Sequence, residues 1–196
     1  LLYEPGGVLD VTDAVYTALG GTRVSVTGSK WVPSETYAVK LEGARISGFQ
    51  TIVMALLRDK RYVANAAIWA DDIVAKCTAK VLARTGAKAD DFSIEIRLIG
   101  KNATLGALEA RVGDPVEIGA LGLVTAKTQA LSGEVGKLLN PYLLHHPLTR
   151  DEEQPTFAFP FSPAEIDRGP IYEFCLNHVL RLDDPMAAFS LEVVDG

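Results

Sequence analysis

The pattern of apolar and polar residues predicts strands in five parts of the chain. Successive strand side chains point to opposite faces of a sheet, so an apolar residue at every second position indicates a half-buried strand. This pattern runs through residues 37–41, 92–98 and 172–182. Phe49–Leu57 is instead a continuous apolar run, which is typical of a central strand. Val116–Ala126 is predicted as the fifth strand.

Apolar residues at three- and four-residue spacing predict two long helices. Asp59 is placed to cap the first helix, and Gly86 stands where a left-handed C-terminal cap belongs. Thr128 is placed to cap the second helix, and Pro141 is expected to kink or end it. The helices are therefore predicted over residues 60–85 and 128–143.

The order of these elements predicts an α+β fold. Apart from the strand at 37–41, the order along the chain is strand, helix, strand, strand, helix, strand. This βαββαβ order is typical of the ferredoxin-like fold, an antiparallel sheet with two helices on one face. We expect the first strand beside the third and fourth, the second strand beside the fourth, and the last strand buried in the middle of the sheet.

An N-terminal β-hairpin and extra edge strands are predicted outside this order. Residues 15–17 and 23–27 flank Gly20-Gly21, a glycine turn that joins two strands. We interpret residues 1–34 as an entry loop and hairpin leading from an N-terminal portion that the chain lacks, and residues 35–196 as the ferredoxin-like domain. Asp184-Pro185 is expected to start a last turn, after which Phe189–Val194 returns as an edge strand.

The segment before the last strand carries a predicted helix start and three phenylalanines. Ser162 is placed to cap a short helix with Pro163 at its first position, and Gly169-Pro170 is placed to end it. The phenylalanines at 157, 159 and 161 alternate around a proline. They fit two interpretations equally: the wall of a pocket for an apolar substrate, or a cover for the open face of the sheet or for an interface.

Composition and charge narrow the class of protein. The chain has 196 residues, 48% of them hydrophobic, with a net charge of −6, which argues against nucleic-acid binding. No apolar run is long enough to span a membrane. The two cysteines, Cys77 and Cys175, lack zinc-site spacing and are interpreted as buried thiols in a reducing cytoplasm. The chain starts at Leu1 without methionine, so we expect it to be part of a longer polypeptide.

The three histidines are the candidates for catalysis, each with a structural alternative. His178 on the last strand is placed to act as an acid or base beside Asn177, or to be a hydrogen-bonded core residue. His145 and His146 are adjacent, which suits a helix C-terminus better than a metal site, and no metal is predicted. The acidic run at 151–153 is interpreted as solvated surface.

Several segments together resemble the C-terminal half of the acyclic terpene utilisation (AtuA-like) family. The segments are VYTALGGTRVSVTGSKW, YAVKLEGARISGFQTIVMALLRD, LLNPYLLHHPL and TFAFPFSPAEIDRGPIYEFCLNHVLRLDDPMAAF. The resemblance covers nearly the whole chain. It implies a role in the catabolism of branched terpenoid acids, through acyl-CoA intermediates, and an N-terminal α/β portion outside this chain. It assigns no reaction, cofactor or catalytic residue.

Two functions follow as expectations. In the first, the chain is the C-terminal part of a catabolic protein for branched-chain acids or their acyl-CoA esters, and a cleft shared with the N-terminal half is lined by Asn140, His145, Phe159, Phe161, Asn177 and His178. In the second, it is a structural and oligomerisation module whose partner, the N-terminal half or a separate subunit, carries the chemistry. A sheet with helices on one face leaves the other face to be covered, so we expect a homo-oligomer.

Overall fold

The computed structural model describes residues 1–4, 6–111, 113, 115–184, 186 and 188–194. It confirms an α+β protein with antiparallel sheets and few helices. The chain divides into two compact units: the first is Leu1–Arg45 with Glu173–Gly196, and the second is Ile46–Tyr172. The predicted domain start at residue 35 stays a prediction. No helix within the described residues is long and apolar enough to cross a membrane.

The N-terminal part of the first unit contains five short strands in two small sheets. β1 (Leu2–Glu4), β2 (Gly7–Asp10) and β5 (Lys30–Pro33) form an antiparallel sheet in the order β1-β2-β5. The predicted hairpin is confirmed as β3 (Val15–Ala18) paired with β4 (Val24–Thr27). Gly20 and Gly21 make its turn with φ of 86° and 59°, a left-handed conformation that glycine adopts without steric cost.

Four longer strands form one sheet in the order β7-β8-β6-β9. The strands are β6 (Ala38–Leu57), β7 (Phe92–Ile99), β8 (Ile118–Ala126) and β9 (Glu165–Arg181). β8 is antiparallel to both neighbours, so Ala126 lies opposite Phe49 of β6 and Phe92 of β7. The second strand of the βαββαβ order therefore pairs with the third, and the prediction that it pairs with the fourth is wrong.

β9 lies at the edge of this sheet, so its predicted burial in the middle is also wrong. Most of its residues are exposed, and so is the thiol of Cys175, which was expected to be buried. β8 takes a central place because small and apolar residues are buried along most of its length. β9 instead carries Gly169-Pro170, and proline, which cannot donate to a strand ladder, is tolerated at a sheet edge.

β6 joins the two strands predicted at 37–41 and 49–57 into one, and it runs unbroken through Gly43 and Gly48. These glycines serve close packing. A Cβ on Gly43 would lie 3.3 Å from the Leu176 Cβ, and a Cβ on Gly48 would lie 3.0 Å from the Ala126 carbonyl oxygen. The strand stays regular because glycine removes the side chain where a neighbour approaches closely.

The helices begin where their caps were predicted. Asp59 accepts a hydrogen bond from the Arg61 amide and starts α1 (Lys60–Ala64), which α2 (Ala66–Thr85) follows after Asn65, and Gly86 ends α2 with φ of 70°. α1 and α2 thus occupy the range 60–85, for which a single helix was predicted. Thr128 caps α3 (Gln129–His145), which continues through Pro141 because its last turns are buried against the sheet.

The core of the second unit lies between α2, α3 and one face of the sheet. Both helices contact each other and the sheet residues of the same buried cluster. Its largest fully buried side chains are Trp69, Tyr62, Leu57, Ile73, Ile118, Leu139, Leu143, Val53, Val81, Val124, Val135 and Thr51.

Two predicted local elements are absent from the C-terminal part. Residues 160–164 form bends, and strand β9 begins at Glu165, where a helix capped by Ser162 was predicted. Extended backbone there brings Asp167 within hydrogen-bonding distance of Thr51. The predicted edge strand at 189–194 is not regular structure, and its apolar side chains are exposed. Asp184 accepts a hydrogen bond from the Met186 amide, whereas Pro185 of the predicted turn lies outside the described residues.

Candidate functional site

A buried hydroxyl network lies where α3 packs against β6 and β9 in the second unit. The Thr51 hydroxyl lies 2.7 Å from the Asp167 carboxylate and 2.6 Å from the Ser132 hydroxyl, and it accepts a hydrogen bond from the Gln129 amide nitrogen at 3.1 Å. An ionised carboxylate only accepts, so Thr51 donates to Asp167, and Ser132 donates to Thr51. Gln129 and Ser132 thus donate to the Thr51 hydroxyl, which in turn donates to the Asp167 carboxylate.

Gly136 of α3 allows this close approach, because a Cβ there would lie 2.8 Å from the Thr51 Cγ2. A Cβ on Gly133 would lie at an ordinary contact distance, 3.6 Å from an Asp167 carboxylate oxygen. One turn further along α3, the Asn140 amide donates to the Glu165 carboxylate at 2.6 Å. The predicted binding residue Asn140 is therefore engaged with β9.

An open cavity of about 660 Å³ lies beside this network. The carboxylates of Glu165 and Asp167 line it together with Glu134 and Lys137 of α3. The Gln129 Oε1 is buried there without a hydrogen-bond partner within the described part of the chain. Thr51 and Ser132 are fully buried, so their hydroxyls do not reach a substrate. Chemically, the cavity wall offers acceptors for a hydrogen-bond donor and no activated nucleophile.

A second polar cluster joins the loop after α3 to the core. Glu152 accepts hydrogen bonds from the Tyr62 hydroxyl and, at 2.8 Å, from the Leu148 amide. The Tyr62 hydroxyl and then the Leu148 N–H lower the pKa of Glu152. Burial and the Glu152 carboxylate raise the pKa of Tyr62 to about 12. The acidic run at 151–153 was interpreted as solvated, and Glu152 corrects that interpretation.

The histidines at the end of α3 have structural partners. The His145 Nδ1 lies 2.9 Å from the Pro155 carbonyl oxygen. His146 is buried, its Nε2 lies 2.6 Å from an Asp72 carboxylate oxygen, and its carbonyl accepts from the Trp69 Nε1 at 2.9 Å. The Lys76 ammonium and then His146 lower the pKa of Asp72. Sequence spacing gave no signal of this pair, because 74 residues separate its members.

The three phenylalanines that precede β9, at positions 157, 159 and 161, differ in their contacts. Phe157 is buried and packs edge-on against Tyr62 and Trp69, with ring centroids 4.8 and 5.6 Å apart. Phe159 is half-buried against the core, and Phe161 is half-buried. Both predicted pocket residues thus lie in the second unit, where Phe157 makes the aromatic contacts.

Asn177 and His178 belong to the first unit, on β9. Both side chains are exposed, so the alternative of a buried core histidine is wrong. They line a groove of about 560 Å³ together with Lys40 of β6 and Arg181 at the end of β9. The six predicted binding residues are therefore divided between the units, with four in the second and two in the first.

Within the described residues, no group of three or more histidine, cysteine, aspartate or glutamate side chains is placed to hold a metal ion. Burial raises the pKa of Cys77 to about 11, which keeps it a thiol at neutral pH. Cys175 carries the exposed thiol.

Comparison with known proteins adds no relative to this description. Neither protein-family models, nor curated proteins, nor solved structures gave a match to the chain.

Proposed function

We propose that this chain is an assembly module that pairs with a second copy of itself along the exposed edge of β9. The single observation that carries the proposal is the composition of that edge. Phe174 and Leu176 are 62% and 43% exposed, and β9 has no paired strand on its outer side within the described residues. Long apolar edge strands are templates for pairing with another chain.

The charges along this part of β9 favour a second copy as the partner. Between Ile171 and Leu180 the one charged side chain that is ionised at neutral pH is Glu173, whose carboxylate lies 2.5 Å from the Arg45 guanidinium. A two-fold axis at Cys175 places Phe174 opposite Leu176 and Glu173 opposite Asn177. No like charges then face each other, and the contact is self-complementary, as a two-fold interface requires.

Light scattering tests this pairing. The chain has a mass of 21.1 kDa, and we expect a particle of twice that mass at micromolar concentration. Leu176→Lys is expected to give a monomer, because a charge is then buried in the interface. Val15→Lys, at a residue of the N-terminal hairpin that is 57% exposed, is the matched control and is expected to leave the dimer intact. A monomeric native chain, or a Leu176→Lys variant that remains dimeric, contradicts the proposal.

Oxidation tests the register. Diamide accepts two electrons and two protons from a pair of thiols and leaves a disulfide, so thiols that face each other across the axis are expected to crosslink the dimer. Cys175→Ser is expected to abolish the crosslink, whereas Cys77→Ser keeps it, because Cys77 is buried. A native dimer that diamide leaves uncrosslinked contradicts pairing centred on Cys175.

The fold and the sequence resemblance support a proposal for the pathway in which this module acts. We assign the order β7-β8-β6-β9, with both long helices in one core cluster, to the ferredoxin-like fold. Because the sequence resembles the AtuA-like family, we propose that the assembly acts in the catabolism of branched-chain acids, with the chemistry on a partner polypeptide. We expect the isolated chain to turn over no branched acyl-CoA. Turnover that is lost in His178→Ala or His145→Ala would instead assign the catalytic role to this chain.

A further inference from the structure

The C-terminal segment, residues 189–194, has the pattern of a strand and is unpaired within the described residues. Phe189, Leu191 and Val193 occupy every second position, with a serine and a glutamate between them. Their side chains are 53%, 84% and 81% exposed. An extended segment with this alternation can add to the open edge of a sheet, where its backbone gains hydrogen bonds and its apolar side chains gain neighbours.

The end of β9 offers such an open edge. The Leu182 N–H donates to the Tyr37 carbonyl, on the side of β6. Backbone groups alternate between the two sides of an antiparallel strand, so the N–H and C=O groups of Val179 and Arg181 point away from β6. Within the described residues β9 has no strand on that outer side. Its last residues can therefore pair with one more strand.

A turn lies between β9 and the C-terminal segment. The Asp184 carboxylate accepts a hydrogen bond from the Met186 amide at 3.0 Å, and the Phe189 N–H donates to the Met186 carbonyl at 3.0 Å. Closing a loop this short costs little chain entropy. The C-terminal segment is therefore present at a high local concentration beside the outer edge of β9.

An antiparallel return through this turn brings apolar side chains together. It pairs Leu182 with Phe189, so Leu180 lies opposite Leu191 on the same face. Leu180 is 37% exposed and Leu191 is 84% exposed, and both lose contact with water when they pair. Apolar cross-strand pairs of this kind stabilise a strand addition.

On the other face this register places opposite charges near each other. Glu192 lies opposite Val179 and diagonal to Arg181, a spacing that long side chains can bridge. The turn also carries Asp183 and Asp184, which offset the positive charge of Arg181. The apolar pairs therefore contribute more to the contact than the ion pair does.

We propose that the C-terminal segment folds back as a strand on the outer edge of β9 and there competes with a second copy of the chain. The two-fold pairing centred on Cys175 uses the part of β9 between Ile171 and Leu180, and the returning segment covers Val179 and the residues after it. Both partners need the same stretch of edge, so a docked segment excludes the second copy. The inference rests on the proposed assembly and names its regulation, and the structure holds the segment undocked.

Sedimentation equilibrium of the native chain and of a chain that ends at Ala188 tests the competition. Both protomers must release the segment before they pair, so a segment that is docked half of the time raises the dissociation constant about fourfold. We expect the shortened chain to dimerise about fourfold more tightly or better. Leu191→Lys keeps the length and places a charge opposite Leu180, and it is expected to match the shortened chain. Leu19→Lys, at a residue of the hairpin turn that is 55% exposed, is the matched control and is expected to keep the native dissociation constant.

Nuclear Overhauser contacts report docking separately from assembly. In the Leu176→Lys variant we expect a contact between the α-protons of Leu180 and Leu191, which lie close in a non-hydrogen-bonded antiparallel pair. Absence of this contact overturns the proposal, and so does an equal dissociation constant for the native chain, the shortened chain and Leu191→Lys. If no form of the chain dimerises, the assembly role fails and the competition fails with it, whereas a dimer of unchanged affinity overturns the competition alone.

Discussion

The strands of the two units differ in what covers them. In the second unit α2 and α3 pack on the sheet, and Val53, Ala55 and Leu57 of β6 are fully buried. The described residues of the first unit contain no helix, and side chains such as Trp31 and Phe174 are 50% and 62% exposed. Alternation of apolar residues makes a strand amphipathic, whereas burial requires a second layer to pack against it.

The largest expected difference between the units is in the free energy lost when tryptophan is removed. Trp69 is 1% exposed and donates a hydrogen bond to the His146 carbonyl, so Trp69→Ala is expected to cost about 3–5 kcal/mol of unfolding free energy. Trp31 is 50% exposed, and Trp31→Ala is expected to cost about 1 kcal/mol or less. Urea unfolding followed by circular dichroism measures both.

These two tryptophan variants test whether the first unit lacks a buried core. The chain has two tryptophans, so each variant leaves the other as a fluorescence probe of one unit. Equal losses for the two variants would mean that the first unit holds a core of its own. Trp69→Phe keeps an aromatic ring and removes the Nε1 donor, and we expect an intermediate loss.

The parts of the fold that sequence predicts well depend on local signals. Asp59, Thr128 and Gly86 act on backbone groups within a few residues, and each lies at the helix end where it was expected. The edge position of β9 was not predictable in this way. Its apolar alternation shows which residues share a face and contains nothing about what covers that face.

The candidate sites were harder to predict for the same reason. Asn140 was singled out, but its partner Glu165 lies 25 residues away on β9, and Thr51 lies 116 residues from Asp167. Such contacts depend on how α3 sits on the sheet. The signal that could have indicated the contact is Gly136, since a glycine inside a helix leaves room for a neighbouring element, whereas Gly133 on the same face of α3 is at ordinary contact distance.

A smaller effect on the free energy of unfolding is expected at Gly133 and Gly136, where α3 covers the sheet of the second unit. Gly136→Ala places a Cβ 2.8 Å from the buried Thr51 Cγ2, and we expect a loss of about 1–2 kcal/mol from overpacking, which exceeds the gain in helix propensity. Gly133→Ala places its Cβ no closer than 3.6 Å to the nearest atom, so we expect a gain of about 0.5–1 kcal/mol. Thermal unfolding measures both, and a gain from Gly136→Ala would show that α3 does not approach Thr51 so closely.

The smallest expected effect is on the pH dependence of stability. It is measured by comparing Glu152 in the second unit with Asp10 in the first. The pKa of Glu152 is lowered by the Tyr62 hydroxyl and then by the Leu148 N–H, whereas that of Asp10 is lowered by the exposed Thr12 hydroxyl and N–H. A carboxylate whose folded-state pKa is lowered stabilises the fold above its unfolded pKa, and this stabilisation is lost as the pH falls through the folded value. Glu152→Gln keeps acceptors for both donors without the charge.

We therefore expect Glu152→Gln to be less stable than the native chain at pH 7, with the difference shrinking as the pH falls below about 4.5, the ordinary pKa of glutamate. Asp10→Asn is expected to show the same direction with a smaller amplitude, because its carboxylate is more open to solvent and its interactions are more strongly screened. Urea unfolding of the three proteins at pH 7 and pH 3 measures both differences. A difference for Glu152→Gln that stays constant or grows towards pH 3 would assign the role of Glu152 to packing, because only the ionised carboxylate loses its advantage in acid.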